Sequence, residues 1–253
     1  MNTKTIFITF LLILPHVKAQ SKDLIVSIGS YAPFHIAEYD YIDVPENEAK
    51  GIFIDVIKQF AKQHPEYSLH FRAYPVLRSI RMTGTGETID IAVESPLFVK
   101  EGTLNHYDFS EAVVRTKDVV ITNSKSQLTY KSPKDLYNKT IAVIKGYKYG
   151  EFDTLEKAGK IRYQALETHQ RALRFLQRGS ADAYLGNIHV TPYYIKKNGM
   201  NRSEFIFSKK AMLEFDLAFL VKKDLNVLSK LDEFIRKIKK NGALNKIITK
   251  YIE

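Results

Sequence analysis

Two segments of the chain place polar side chains where a predicted strand ends. Glu94 and Ser95 follow the apolar run at residues 89–93, which is typical of a strand covered on both faces. Arg78 follows the alternating run at residues 68–73, at the start of a predicted helix. A carboxylate accepts hydrogen bonds from an ammonium group, and a guanidinium binds a carboxylate with two of them. We predict that these three side chains face a ligand; alternatively, Glu94 caps a loop and Arg78 is a solvated helix residue.

The loop at residues 146–150 is a second candidate for ligand contact. It follows the β-rich run at residues 140–144 and precedes a predicted helix. Free backbone N–H groups and the positive end of a helix dipole favour an anion at such a place. We predict that Gly146, Tyr147 and Lys148 contact the ligand, with an exposed Lys148 as the alternative.

The sequence lacks the patterns that mark several classes of enzyme. It contains no cysteine, no Gly-x-Ser-x-Gly motif and no phosphate-binding loop, and its seven histidines show no His-x-x-x-His metal spacing. We therefore expect a protein that is not an enzyme and that holds no metal or cofactor. The alternative is acid–base catalysis by Glu94, His106 or His189 in a cleft.

Residues 1–19 have the pattern of a cleaved secretory signal. Lys4 precedes an apolar run, and the small residues Val17 and Ala19 stand three and one positions before the expected cleavage site. The run is shorter than the roughly 20 apolar residues of a membrane-spanning helix. We predict a mature periplasmic chain of residues 20–253, with a retained N-terminal anchor as the alternative.

The charge of the chain is positive but diffuse. Cleavage removes Lys4 and Lys18 and no acid, which lowers the net charge from +10 to +8. The remaining lysines are scattered over predicted helix faces, as is typical of a solvated surface. We expect no nucleic-acid partner. The absence of cysteine also excludes disulfides and a lipid anchor on cysteine.

Strand-like and helix-like patterns alternate along most of the chain, which predicts an α/β fold with a mostly parallel sheet flanked by helices. Two sets of such units predict two lobes around one cleft, joined by two hinge strands. The candidate crossovers are residues 113–117 and 211–216. Lobe one then comprises residues 20–113 and 216–253, and lobe two comprises residues 117–211.

Several motifs occur in a recognisable order between residues 51 and 247. They are Gly51-Ile52-Phe53-Ile54-Asp55-Val56-Ile57, Asp108-Phe109-Ser110, Val119-Val120-Ile121, Ser132-Pro133-Lys134-Asp135-Leu136 with Lys139-Thr140-Ile141-Ala142-Val143, Ala181-Asp182-Ala183, and Asn241-Gly242-Ala243-Leu244-Asn245-Lys246-Ile247. In this order they resemble the family 3 extracellular solute-binding proteins, the polar amino-acid-binding receptors of ABC importers. The resemblance covers residues 24–251 and implies a two-lobed type II periplasmic binding fold.

The same resemblance implies how the protein works and which residues take part. It implies closure of the lobes around one small solute and delivery of that solute to an ABC permease in the inner membrane, by a receptor that acts as a monomer. It also implies that an aromatic residue after the first strand, here Tyr31 or Phe34, lies against the ligand, where stacking suits a flat or apolar group. Core packing is the alternative for Phe34.

The chain departs from the family where an α-amino acid would be held. Members usually carry an arginine before the Asp-Phe-Ser motif, and this chain has Thr103 there. Members also tend to carry an aspartate after the Asp-Ala motif, and this chain has Asn187, whose amide offers two donors and an acceptor. We therefore predict a small polar solute, amino-acid-like or carboxylate, with Asn187 among its contacts.

Two other roles remain open for this fold. A receptor of the same kind can report to a membrane sensor kinase instead of a permease. Some relatives are periplasmic dehydratases that act on cyclohexadienyl compounds, although the sequence pairs no acid and base that would favour catalysis.

Overall fold

The computed structural model describes residues 21–37 and 43–252, so the predicted signal at residues 1–19 lies outside the described residues. The strands are β1 (Lys22–Ile28), β2 (Ser30–Tyr31), β3 (His35–Ile36), β4 (Asp43–Val44), β5 (Tyr67–Ala73), β6 (Ile91–Glu94), β7 (Tyr107–Phe109), β8 (Val114–Asn123), β9 (Thr140–Ile144), β10 (Arg162–Leu166), β11 (Ala183–Asn187) and β12 (Phe205–Lys222). The α-helices are α1 (Ile52–Gln63), α2 (Val76–Thr85), α3 (Thr103–His106), α4 (Glu151–Lys157), α5 (His169–Gln177), α6 (Val190–Lys197), α7 (Leu228–Lys240) and α8 (Ala243–Ile252).

The predicted two-lobed α/β fold is confirmed. The larger sheet has the order β10-β9-β11-β8-β12-β6-β1-β5-β4, with β7 also paired to β12. In lobe one, β1 runs parallel to β5 and β6. In lobe two, β9 runs parallel to β10 and β11. The long strands β8 and β12 pair antiparallel and connect the lobes.

The strand β12 changes partner along its length. Residues 205–217 of β12 pair with β8, and residues 218–221 pair with β6. The predicted crossover at residues 211–216 lies within β12, and that at residues 113–117 lies around the start of β8. The residue boundaries of the two lobes stay a prediction.

Helix α1 forms where the spacing of apolar residues predicts it. Phe53, Val56, Ile57 and Phe60 lie on one face and are fully buried against the lobe-one sheet. Burying each such side chain contributes about 1.5–3 kcal/mol of hydrophobic free energy. The helix ends at Gln63, and its C-cap His64 stands directly before a proline, as expected.

Local signals also define the ends of elements in lobe two. The Thr168 hydroxyl oxygen accepts a hydrogen bond from the backbone N–H of Arg171 at 3.2 Å, which caps α5 as predicted. Gly179 follows the helix with a φ of +74°, a conformation that glycine adopts without strain. Strand β9 has the predicted bounds.

The strand β6 starts later than predicted, at Ile91 instead of residue 89. Asp90 lies directly before the strand, where its carboxylate accepts a hydrogen bond from the backbone N–H of Ile25 at 2.8 Å and its own backbone N–H donates to the carbonyl oxygen of Ile25 at 2.9 Å. Within the described ranges, no helix is long and apolar enough to cross a bilayer.

Candidate ligand-binding cleft

A cavity of about 390 Å³ lies between the two lobes. Lobe one contributes the ends of its parallel strands: Ser27 and Ile28 from β1, Tyr74 after β5, and Glu94 from β6. Ligands of open α/β sheets bind outside the carboxyl ends of the strands, where such a crevice forms. The topology therefore accounts for the position of the cavity.

Lobe two closes the cavity with the loop after β9, at residues 146–148. Lys148 Nζ donates a hydrogen bond to the carbonyl oxygen of Phe98 in lobe one at 3.3 Å. The rings of Tyr31 and Tyr147 meet edge to face across the cleft, with their centroids 5.9 Å apart. The two lobes are thus in contact in this structure.

Two acidic groups line the cavity. Asp118, from β8, is 9% exposed and lines the cavity. Its burial raises the pKa of its carboxyl to about 6, an effect that the hydrogen bond from Asn187 partly offsets. Burial likewise raises the pKa of the Glu94 carboxyl, while the backbone N–H of Ser95 and the charge of Lys148 lower it. Both acids therefore lie in surroundings that disfavour their charge.

Asn187 positions Asp118. The two residues are opposite each other in the antiparallel pairing of β11 with β8, and Asn187 Nδ2 donates to Asp118 Oδ1 at 2.9 Å. The same amide nitrogen donates to Thr116 Oγ1 at 3.0 Å, and Asn187 Oδ1 accepts from the backbone N–H of His189 at 3.0 Å. The amide is thus occupied by neighbouring groups and fixes the rotamer of the carboxylate.

Aromatic residues form much of the remaining wall. Tyr31, Tyr74, Tyr147, Phe98 and Phe215 line the cavity. The rings of Phe98 and Phe215 pack edge to face at 5.0 Å between centroids. Burial raises the pKa of both Tyr31 and Tyr147 well above the ordinary value, and nearby carboxylates raise them further. These phenols stay protonated and can donate hydrogen bonds.

The histidines at the cleft carry no positive charge. His35 lines the cavity, and burial lowers its pKa to about 4; its Nδ1 lies 2.9 Å from both the backbone nitrogen and the carbonyl oxygen of Gly29. His169 packs against the rings of Tyr31 and Tyr194, and burial lowers its pKa to about 3. Both imidazoles are neutral at physiological pH.

The structure brings five of the nine sequence-predicted site residues to the cavity. These are Tyr31, Glu94, Gly146, Tyr147 and Lys148. The other four, Phe34, Arg78, Ser95 and Asn187, lie outside its lining. Phe34 is fully buried in the lobe-one core, and Ser95 is 1% exposed with its Oγ accepting from the backbone N–H of Leu97 at 3.3 Å.

Arg78 and Thr103 also lie away from the cavity wall. The Arg78 guanidinium is exposed on α2 and lies 5.8 Å from the centroid of the Tyr74 ring. Thr103, which stands where the family carries its arginine, is 1% exposed at the start of α3. Neither residue brings a charge to the cavity wall.

The expected anion site at the start of α4 is taken by the chain itself. The Asp153 carboxylate accepts a hydrogen bond from the backbone N–H of Tyr149 at 2.8 Å. The side chain of Glu151 adds a second negative charge in the first turn. An anionic ligand group would meet these charges at the helix end that was expected to attract it.

Sequence reasoning missed Asp118, His35, Phe98 and Phe215. A signal for Asp118 exists, because it is a lone acid at the entrance of an apolar strand beside a predicted hinge. Phe98 and Phe215 lie far apart in the sequence, and only the fold brings their rings together. The part of the chain that the structure describes contains no cluster of three or more side chains suited to a metal ion.

The fold and the cleft define a two-lobed ligand-binding receptor of the type II periplasmic class. The model of the bacterial extracellular solute-binding proteins, family 3, matches residues 24–253. The chain therefore belongs to this family, as the resemblance in the sequence implied. No curated protein matches it.

Solved structures with the same fold are binding proteins and sensor domains. A mutant of ArgBP from T. maritima is 22% identical, with 90% of this chain and 94% of that chain covered and a TM-score of 0.71. The GluR0 ligand-binding core in complex with L-glutamate is 14% identical, with 93% of this chain and 100% of that chain covered and a TM-score of 0.74. A histidine kinase sensor domain with similarity to periplasmic binding proteins is 17% identical, with 92% of this chain and 97% of that chain covered and a TM-score of 0.75.

Proposed function

We propose that this protein is a periplasmic receptor that closes its two lobes around a small polar solute and delivers the solute to an ABC importer. The observation that carries the proposal is the cavity between the lobes, whose wall combines strand ends of lobe one with the loop at residues 146–148 of lobe two. A ligand that touches both walls stabilises the closed form by its additional contacts. The export signal at residues 1–19 is part of the same proposal.

The cavity size and wall fit a single small molecule. Small-molecule sites enclose about 300–1,000 Å³ and are mostly apolar, with a few polar groups that fix orientation. The cavity of about 390 Å³ lies at the lower end of this range. A peptide or a polymer would not fit inside it, whereas one solute with a few polar groups would.

The binding step is tested by thermal denaturation of the chain from residue 20 to residue 253 with a panel of amino acids, amines, organic acids and sugars. A solute that binds the folded state raises the melting temperature in a concentration-dependent way. Small-angle scattering then compares the protein with and without the hit. We expect a melting shift and a more compact, or equally compact, liganded form. If no small solute in the panel shifts the melting temperature, the receptor proposal fails.

The delivery step needs a separate test in cells. We expect deletion of the gene to abolish uptake of the identified solute, and re-expression of the protein to restore uptake.

A second candidate role is favoured by the high TM-score of 0.75 with the histidine kinase sensor domain. Under that alternative, deletion leaves uptake unchanged and abolishes a transcriptional response to the same solute.

A further inference from the structure

The cavity combines two carboxylates, one buried and one half-buried, with several aromatic rings. Glu94 and Asp118 both line it, from lobe one and from the crossing strand β8 respectively. Each carboxylate has a neutral hydrogen-bond donor: the backbone N–H of Ser95 lies 2.9 Å from Glu94 Oε1, and the amide of Asn187 lies 2.9 Å from Asp118 Oδ1. Over residues 21–37 and 43–252, neither acid forms a salt bridge.

The positive groups of the cavity lie at its exposed side. Its lysines are Lys100 and Lys148, and both are exposed, whereas Asp118 is buried and Glu94 half-buried. No arginine is among the described residues that line the cavity. An α-carboxylate is best held by a guanidinium, which matches it with two parallel hydrogen bonds. The deep part of the cavity therefore suits a cation much better than an anion.

We infer that the cleft takes a small organic cation, with an ammonium or guanidinium head between Glu94 and Asp118 and an apolar or flat body against Tyr31 and Tyr147, and that it needs no α-carboxylate. This inference rests on the proposed receptor function and names its ligand class. The head group would bring a positive charge to Asp118 and would add to the positive charge that Lys148 already presents to Glu94. The aromatic faces would add cation–π attraction, which grows as water is excluded.

One further observation supports a cationic ligand, and the net charge of the chain does not exclude one. Both carboxylates act electrostatically on both phenols, Tyr31 and Tyr147, so the acids and the rings share one small region. The net charge of the chain is +10 and repels cations at long range, but physiological salt screens this repulsion over about 8 Å, so it does not prevent a cation from binding inside the cleft. Selectivity for a cation must then come from the local acids.

Isothermal titration calorimetry with matched ligand pairs tests the inference. Agmatine is compared with arginine, and 2-phenylethylamine with phenylalanine; within each pair, only the carboxylate differs. We expect at least one decarboxylated amine to bind at least about tenfold more tightly than its amino acid. Tighter binding of both amino acids would overturn the inference and leave the receptor proposal intact. Exclusive binding of a neutral polyol such as sorbitol, or of an organic acid, would likewise overturn the inference and leave the receptor proposal intact.

Charge-removing variants locate the head group. Asp118→Asn and Glu94→Gln each keep the shape of the side chain, and we expect each to weaken binding of the preferred amine by at least about tenfold, because the positive head group is left without one of its charge partners. Glu66→Gln removes an equal charge from the exposed end of lobe one and should leave the affinity unchanged. Melting curves check that each variant folds. Unchanged affinity in both cleft variants would contradict the inference.

Discussion

The two walls of the cleft are built in different ways. The lobe-one wall consists of strand ends and the start of α2, backed by the fully buried rings of Phe34 and Phe53. The lobe-two wall combines Asp118 from β8 with the loop at residues 146–148, in which Gly146 and Lys148 are exposed. A wall with a packed core behind it holds its shape before the ligand arrives, and pre-organisation of this kind raises affinity. We propose that lobe one and Asp118 of β8 recognise the solute, while the loop at residues 146–148 closes over it.

The first prediction concerns the support behind the lobe-one wall. We expect Phe34→Ala to lower the free energy of unfolding by about 3–5 kcal/mol, since it removes a fully buried ring and leaves a cavity. Chemical denaturation measures the loss. The control is Leu77→Ala at the cleft rim, where the side chain is 52% exposed and the change should stay within about 0.5 kcal/mol. A stable Phe34→Ala protein that no longer binds solute would instead mean that Phe34 contacts the ligand.

The second prediction concerns the carboxylate on the crossing strand. The Asp118 carboxyl has a pKa of about 6 in the folded chain and an ordinary value of 3.8. Between these values the folded state binds more protons than the unfolded state, so stability falls as pH rises from about 4 to 6. The difference of about two pKa units corresponds to a loss of about 3 kcal/mol at neutral pH. We expect Asp118→Asn to remove this loss and to be more stable than the original protein at pH 7.

Denaturation curves of Asp118→Asn and the original protein at a series of pH values test the predicted stability gain. The stability gain of Asp118→Asn should shrink as the pH falls and vanish near pH 4. Glu66 offers a contrast of opposite sign, because its hydrogen bonds to Lys230 and His64 lower its pKa to about 2. Glu66→Gln should therefore give no gain at pH 7. Equal pH profiles for Asp118→Asn and the original protein would show that Asp118 is solvated.

The positions of the two walls at strand ends also explain how much of the site the sequence predicts. Glu94 and Tyr147 are predictable because Glu94 ends a strand with a clear apolar pattern and Tyr147 lies in the loop after another, and strand ends face the cleft in this class of fold. Strand β9 and helix α1 follow from local spacing alone. Local patterns thus define the elements, and the topology directs their ends to one crevice.

The parts that the sequence does not predict depend on contacts between distant segments. Asp118 and Asn187 are register partners although 69 positions separate them. Only this pairing shows that Asn187 holds the carboxylate while Asp118 lines the cavity. Tyr31 and Phe34 both follow β1, and the path of the short turn between them directs one ring to the cleft and the other to the core. The spacing of apolar residues along the sequence predicts neither the pairing of Asp118 with Asn187 nor the directions of these two rings.

The last prediction concerns closure of the lobe-two wall and has the smallest expected effect. Gly146 has a φ of +89°, and a Cβ there would lie 2.6 Å from Leu77 Cδ2 across the cleft. Leu77 is exposed and its end can rotate, so we expect Gly146→Ala to cost about 1 kcal/mol of closure, or about fivefold in the dissociation constant of the solute. Gly146→Ala should also lower the melting temperature slightly, because an L-residue is strained at this φ.

The double variant Gly146→Ala with Leu77→Ala separates the two effects. Shortening Leu77 removes the clash and leaves the backbone strain, so affinity should return towards that of Leu77→Ala alone while the lower melting temperature persists. Recovery of affinity in the double variant would mean that the lobes approach each other at this pair of residues when solute binds. If affinity stays low, the glycine acts only through the conformation of its own loop, and the lobe-two wall would then bind solute without close approach to α2.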